Sequence, residues 1–411
     1  MESLKNLYRI GTGPSSSHTM APSQAAHEFL KRYPDADRYR VKLYASLAAT
    51  GKGHLTDKAI EEAILPRSLE IIWKEHEELP LHPNGMLFEA MDLNGGVLGS
   101  WEVYSVGGGA LMDRETRKTI NQVYPLSRME DLLKHLQESG GSFREYAEQC
   151  EGPEIWNFLD TVWHTMRESI QRGLAAEGLL PGGLDLPRKA LSIYSRSKML
   201  RHELRTQGAL AAYAYAVSEE NADKGIIVTA PTCGACGVLP AVLYHLQKTL
   251  ELPDAAIIRA LATAGIVGNL VKTNAGISGA EVGCQGEIGT ACAMAAAAAT
   301  ELMEGSIRQI EYAAEMSIEH HLGLTCDPVA GLVQIPCIER NAHAAMRALS
   351  CCHLALLSDG EHQISFDKVT AVMKETGHAL PSLYRETSAG GLAKACRSTK
   401  TSDPSELDEN F

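Results

Sequence analysis

The stretch from Ala255 to Met303 constrains this chain more than any other. It is the most apolar segment and is long enough to cross a bilayer. Yet it is built of Ala and Gly rather than Leu and Ile, and Lys272, Glu281, Glu287 and Glu301 interrupt it. Charged side chains are costly in hydrocarbon, so the segment reads as a close-packed buried core and not as a membrane span. Ala293 and Ala295 to Ala299 leave almost no side-chain bulk, which lets neighbouring helices approach closely. A helix here is expected at the centre of a helical body.

The rest of the composition agrees with that core. In 411 residues the chain is 45% hydrophobic, 22% charged and 6% aromatic, ordinary values for a globular protein of two or three domains. The formal net charge is -13, with 38 Lys plus Arg against 51 Asp plus Glu. That balance argues against nucleic acid or an anionic membrane as partner, since both need a basic face. The opening MESLKNLYRIGTG has no apolar h-region with a cleavage site, so no secretory signal is read. A cytoplasmic chain with ten reduced thiols is expected.

Along the chain, residues 1–122 mix strand-like runs (Tyr39 to Tyr44, Gly99 to Val106) with helical ones (Ser23 to Tyr33, Asp57 to Leu65), which predicts an α+β N-terminal domain. The polar segment DRETRKTINQVYPL, which begins at Asp113, reads as a linker. From Ser127 the apolar spacing is helical almost throughout, with Ile226 to Ala230 a short strand-like exception. This predicts a larger, mainly α-helical catalytic domain over 126–400. The acidic residues 401–411 read as a loose tail.

The cysteines divide by setting. Cys233 and Cys236 form a CxxC in APTCGACGVLPA, but no second pair completes a four-thiolate site. There, Pro231, Gly234 and Gly237 suggest a tight turn whose backbone N–H groups could face a carboxylate. Cys150, Cys292, Cys351 and Cys352 fall within helical runs and read as core. Cys284, Cys326 and Cys337 each sit in a Gly- or Pro-containing loop: SGAEVGCQGEIG, LTCDPVAG and QIPCIERN. Cys284 and Cys337 lie at helix starts, where free N–H groups and partial positive charge favour a thiolate. Three such thiolates suit a [4Fe-4S] cluster with one iron not held by the domain. Zinc is open on the same spacing, with His320, His321 and His343 available, and so is the bland reading of three small core residues.

Two histidines have unusual surroundings. His18 lies in GTGPSSSHTMAP, flanked by Ser15, Ser16, Ser17 and Thr19, a hydroxyl-dense loop at a helix start. His54 lies in TGKGHLTD, another Gly-interrupted turn. Either is a candidate general base.

These motifs, with HPNGM, YSVGGG, SKML, KTNAGISGAEVGCQGEIG, LTCDPVAGLVQIPCIERNA and YRETSAGGLA, resemble the bacterial iron–sulfur L-serine dehydratases from about Tyr8 to Ala393. The resemblance implies a β domain and a catalytic α domain fused in one chain. It implies Cys284, Cys326 and Cys337 as ligands of a [4Fe-4S] cluster, L-serine as substrate, and a homodimer. It also implies that the His18 loop closes over the cluster.

Within that frame His18 is the expected base and His54 the next candidate. Ser15, Ser16, Ser17 and Thr19 would grip the carboxylate, and Thr273, Asn274 and Ser278 would orient the amino group or hydroxyl. L-Threonine and L-cysteine elimination are the enzymatic alternatives, and a non-catalytic iron–sulfur sensor is the other. Some family members end in a cysteine that reaches the site, whereas this chain ends in Phe411 and Cys396 lies fifteen residues earlier. The compact β lobe leaves no room for the extra regulatory domain that some relatives carry.

Overall fold

The computed structural model describes residues 1–115 and 122–398. An α+β region comes first and a larger, mainly helical body follows, as the hydropathy pattern predicts. Strand β1 (Ile10–Thr12) pairs antiparallel with β7 (Ile226–Val228) on the helical body. The remaining strands are β2 (Arg38–Tyr44), β3 (Ser68–Lys74), β4 (Gly85–Met91), β5 (Val97–Ser105) and β6 (Leu111–Met112). They form one sheet in the order β3-β2-β4-β5-β6.

Only β2 and β3 run parallel, and their crossover carries the helices Ala45–Thr50 and Thr56–Ile64. Side chains alternate across the sheet with period two. Tyr39, Val41, Leu43, Met86, Phe88 and Ala90 are buried in one core with Phe29 of the helix Ala21–Arg32. Arg40, Lys42, Glu70 and Glu89 form ion pairs between those positions, with Arg40–Glu70 at 2.7 Å and Lys42–Glu89 at 3.1 Å. The sequence pattern shows β2 and β5 but not β3 and β4. The inward residues of β4 are Met, Phe and Ala, so it lacks the β-branched signature of a strand.

The larger core is built around the helix Thr290–Leu302. Every residue from Ala291 to Ala299 is fully buried, against the helices Val238–Thr249, Asp254–Asn274, Ile307–Glu319 and Cys337–Leu356. A buried methyl contributes only about 0.8 kcal/mol. What the alanines add is approach: Met294 lies over Gly268, where a Cβ would come within 2.7 Å of its sulfur. The helix Asp254–Asn274 is long and apolar enough to cross a membrane, but 72% of that apolar window is buried inside the body. The helices read from spacing are present within a few residues of their expected ends. The helices Ala190–Ser197 and Gly391–Ser398 were not expected, being only two turns long.

The first residues do not join the sheet. Met1, Leu4, Leu7 and Tyr8 lie in the helical core, where the Met1 ammonium donates to Tyr124 O and the Tyr8 hydroxyl to Leu261 O. Tyr124, at the end of the expected linker, is itself fully buried. Residues 116–121 of that linker and the acidic tail 401–411 lie outside the described residues. The chain start is thus anchored on the helical body before it crosses to the sheet, and the hydroxyl-rich loop falls at the crossing.

Close helix approach makes a signed prediction. On the helix Ile155–Ala175, a Cβ at Gly173 would lie 2.2 Å from Ala216 O and 2.7 Å from Ala216 Cα. In an open helix Gly→Ala is favourable by about 1 kcal/mol. Here the obstacle is backbone, so Gly173→Ala should destabilise the protein by about 1–3 kcal/mol. Urea unfolding reads the difference, and a rise in stability would show that these helices separate without cost.

Candidate active site

The loop that carries His18 is held at both ends. Gly13 sits so close to Asn221 that a Cβ would fall 2.0 Å from its Oδ1, and Asn221 Nδ2 donates to Pro14 O at 2.8 Å. The backbone then enters the helix Ala21–Arg32 through a wide π-helical turn, Ser16–Met20, a geometry frequent at functional sites. The hydroxyls mostly organise this turn. Ser15 Oγ accepts from His18 N (3.1 Å), and Thr19 Oγ1 accepts from Ser15 N (3.1 Å) and donates to His54 O (2.7 Å).

The two histidines lie together, with ring centroids 4.5 Å apart. Ser46 Oγ donates to Glu386 O at 2.9 Å, so the 3.2 Å contact with His18 Nε2 takes its proton from the ring. His18 Nδ1 then accepts from Ser17 Oγ at 2.8 Å, and both its nitrogens are engaged. His54 Nδ1 donates to Thr50 O at 3.2 Å, which leaves the Nε2 lone pair free, 3.9 Å from Glu386 Oε1. His54 lines the central cavity with Ser15, Gly234, Glu287, Glu386 and the cysteines 284, 326 and 337; His18 stands behind it. His18 Nδ1 is 3.6 Å from Glu386 Oε1.

Three separate loops deliver the thiols. Cys284 precedes a second π-helical turn, Gln285–Gly289, that leads into the Ala-rich helix. Cys337 is the first residue of the helix Cys337–Leu356. Cys326 is bracketed by the C-terminal loop: its N–H donates to Tyr384 O (2.8 Å) and its carbonyl accepts from Glu386 N (2.7 Å), which sets Glu386 beside it. Asn341 ties the CxxC turn to this group, donating to Gly234 O at 2.7 Å and accepting from Gly237 N at 2.9 Å. Ligand atoms of Cys284, Glu287 and Cys326 lie within 4.8 Å of one another, as do those of His18, His54 and Glu386.

Electrostatically the cavity is overloaded with acids. The hydrogen bond with Cys284 and then burial push the Cys326 thiol far up, while burial and the nearby Cys284 do the same to Cys337. Burial, then Glu287 and Cys284, raise Glu386 well above the carboxylate range, and burial raises Glu287. Burial opposes the charge of Arg340, but Cys284, Cys337, Asp327 and Cys326 outweigh it and keep the guanidinium protonated. Arg340 also donates to Thr325 O at 2.6 Å. Burial lowers His18 well below 6.5, and burial brings His54 to about 4, so both rings are neutral near pH 7. A bound cation would reverse the thiol shifts. Clustered thiols with one counter-charge are therefore a donor set that fits a cationic metal group.

Other expected residues lie elsewhere. Thr273 is exposed, and Asn274 Nδ2 donates to Ser127 O and Leu270 O, both at 2.8 Å, so neither lines the cavity. They occupy the last turn of the helix Asp254–Asn274, not the loop before Cys284. Ser278 is buried beside Gly279, which does border the thiols. Cys396 stands on the helix Gly391–Ser398 and does not line the cavity. His320, His321 and His343, the histidines considered for zinc, line a different pocket, and His54 is the histidine that shares the cavity with the thiols. Glu287, Arg340 and Glu386 were missed. Each lies in a motif that carries the family resemblance, but nothing local distinguishes it from a surface charge.

Comparison with known proteins agrees with this geometry. Residues 3–65 match the family model of the serine dehydratase beta chain, and residues 86–393 that of the alpha chain. The L-serine dehydratase of Streptomyces coelicolor is 40% identical, aligned over 95% of this chain and 98% of its own. That of Haemophilus influenzae is 39% identical over 96% and 99%, and that of Helicobacter pylori 36% over 96% and 99%. A single chain that spans both family models, at this identity over nearly its whole length, belongs to the L-serine dehydratases, the lyases that convert L-serine to pyruvate and ammonia.

Proposed function

We propose that Cys284, Cys326 and Cys337 hold a [4Fe-4S] cluster and that L-serine reacts between it and the His18–His54–Glu386 group. The observation that carries this reading is the convergence of three thiols from three loops on one cavity, with a neutral histidine lining it. When bound, such a cluster supplies a Lewis-acidic iron for the leaving hydroxyl, worth several kcal/mol.

The protein supplies the rest. The base is His54 rather than the His18 expected from the loop composition, because the His54 Nε2 lone pair is free at the cavity while His18 has both nitrogens bonded. His54 takes the Cα proton, the Cβ–O bond breaks, and the departing hydroxide leaves as water by taking a proton back from the His54 imidazolium, which restores the neutral ring. The resulting aminoacrylate tautomerises to the imine, which hydrolyses to pyruvate and ammonia without enzyme help. Glu386, held protonated by burial, keeps a proton within reach of both rings. His18 acts by positioning: it braces Ser17, Ser46 and, through Ser46, the backbone of Glu386. We take residues 1–122 and 126–400 as the β and α units of a cytoplasmic homodimer, on the family resemblance.

Three measurements test this. Cys284→Ala should abolish the visible absorption of the anaerobically reconstituted protein and lower its iron content; full iron retention would remove Cys284 from the ligand set. His54→Ala should keep that absorption while kcat falls about 10²–10⁴-fold, and activity within tenfold of the parent would return the role to His18.

The pH profile is the third. A lowered pKa means that the neutral, proton-accepting ring persists down to about pH 4. kcat/KM should therefore show no inflection near 6.5 and decline only toward pH 4. An acid limb centred near 6.5 would count against His54.

A further inference from the structure

A second pocket collects basic side chains that the reaction does not use. Arg340, His343 and Arg347 follow one another at helical spacing on one face of the helix Cys337–Leu356. His320 and His321 follow the end of the helix Ile307–Glu319. With the loop 322–324 these side chains line a pocket of about 390 Å³. No carboxylate is among the lining residues, although the chain has a formal net charge of -13. Ile288 lines this pocket and the thiol cavity alike, so the two spaces share a wall.

The C-terminal end of a helix is its negative end. Here the pocket's own side chains cover the exposed carbonyls. His320 Nδ1 donates to Met316 O at 2.9 Å, His321 Nδ1 to Ser317 O at 2.6 Å, and Arg347 Nη1 to His320 O. Arg340 spends both Nη atoms, on Thr325 O at 2.6 Å and Asp327 Oδ1 at 3.3 Å. Arg347 is exposed and makes no ion pair among the described residues, so its charge and its remaining N–H donors are uncommitted.

The pocket is therefore at positive potential. His321, 8% exposed, registers it: burial first, then Arg347 and His320, lower its pKa to about 4 against the bond to Ser317 O. A bound anion relieves such a field. A metal ion does not suit it. Among the described residues, the ligand atoms of these three histidines are not gathered within 4.8 Å of one another, and two guanidiniums border the space.

The tautomers narrow the choice of anion. Because Nδ1 donates to a carbonyl, the neutral His321 ring presents a bare lone pair on Nε2, an acceptor that needs a donor. His320 is held the same way. Arg347 offers the opposite, planar N–H donors suited to an oxyanion. Carboxylates and sulfate bring acceptors only and meet the lone pairs unfavourably. Hydrogen phosphate brings both kinds of group, anionic oxygens for the guanidinium and a P–O–H for the imidazole. A phosphate monoester has lost that proton at pH 8, its second pKa being about 6.

We propose that Arg340, Arg347, His320, His321 and His343 form a binding site for inorganic hydrogen phosphate, with Arg347 the main donor and His321 Nε2 the acceptor of the phosphate hydroxyl. The site stands apart from the reading of the thiol cavity, because its occupancy is measured without turnover. Calorimetric titration of the anaerobic full-chain holoenzyme near pH 8 tests it. Inorganic phosphate should bind once per chain with Kd on the order of 1 mM or tighter. Sulfate and glycerol 3-phosphate should bind at least tenfold more weakly. Arg347→Ala should weaken phosphate binding at least tenfold, with the unfolding midpoint and cluster absorption unchanged. His321→Gln replaces the lone pair by an amide that also donates, so the preference for phosphate over sulfate should shrink to within about threefold. Absence of phosphate binding by the unaltered protein would overturn the site, as would parental affinity in Arg347→Ala. Equal affinity of the unaltered protein for sulfate would overturn the assignment to hydrogen phosphate.

Discussion

The structure depends on acids that are buried together without enough counter-charge. Cys284, Cys326, Cys337, Glu287 and Glu386 surround one cavity, and Arg340 is the cation that their proton equilibria register most directly. Left to themselves Cys326, Cys337 and Glu386 stay protonated, since burial and the neighbouring acids oppose their ionisation. Such a cluster contributes little to stability by itself. It is tolerable because the surrounding helices are closely packed and because a cation at the centre turns mutual repulsion into ligation.

Much of the architecture follows from holding that cavity. The alanine run lets the helix Thr290–Leu302 sit deep in the body, so the turn that carries Cys284 opens from the centre of the protein. The pairing of β1 with β7 brings the His18 loop onto the same body. Tyr384, Glu386 and Cys326 are joined by backbone hydrogen bonds, which fastens the C-terminal loop to the second thiol. Segments far apart in sequence thus meet through main-chain contacts, with side chains left for chemistry. Both site loops enter their helices through π-helical turns, where the wider spiral re-aims residues that an α-helical entry would bury elsewhere.

The expected hydroxyl grip illustrates how composition and geometry part. Ser15, Ser16, Ser17 and Thr19 do gather around His18, as their spacing requires. Folding then engages most of their hydroxyls within the turn, and only Ser15 reaches the cavity. Thr273 and Asn274 show the same limit, since their motif sits beside the site while helical phase turns them from it.

The sequence by itself determined the helical body, its alanine-lined centre, most helix positions and the three loop cysteines. Those are consequences of local periodicity, side-chain bulk and helix-end chemistry, which a linear pattern records. Tertiary structure alone decided that Glu386, Glu287 and Arg340 join the thiols, that His54 and not His18 faces the cavity, and that β3 and β4 complete the sheet. Each of these depends on which groups lose water together and which lone pairs are already occupied, and both are set by contacts between residues as many as 340 positions apart.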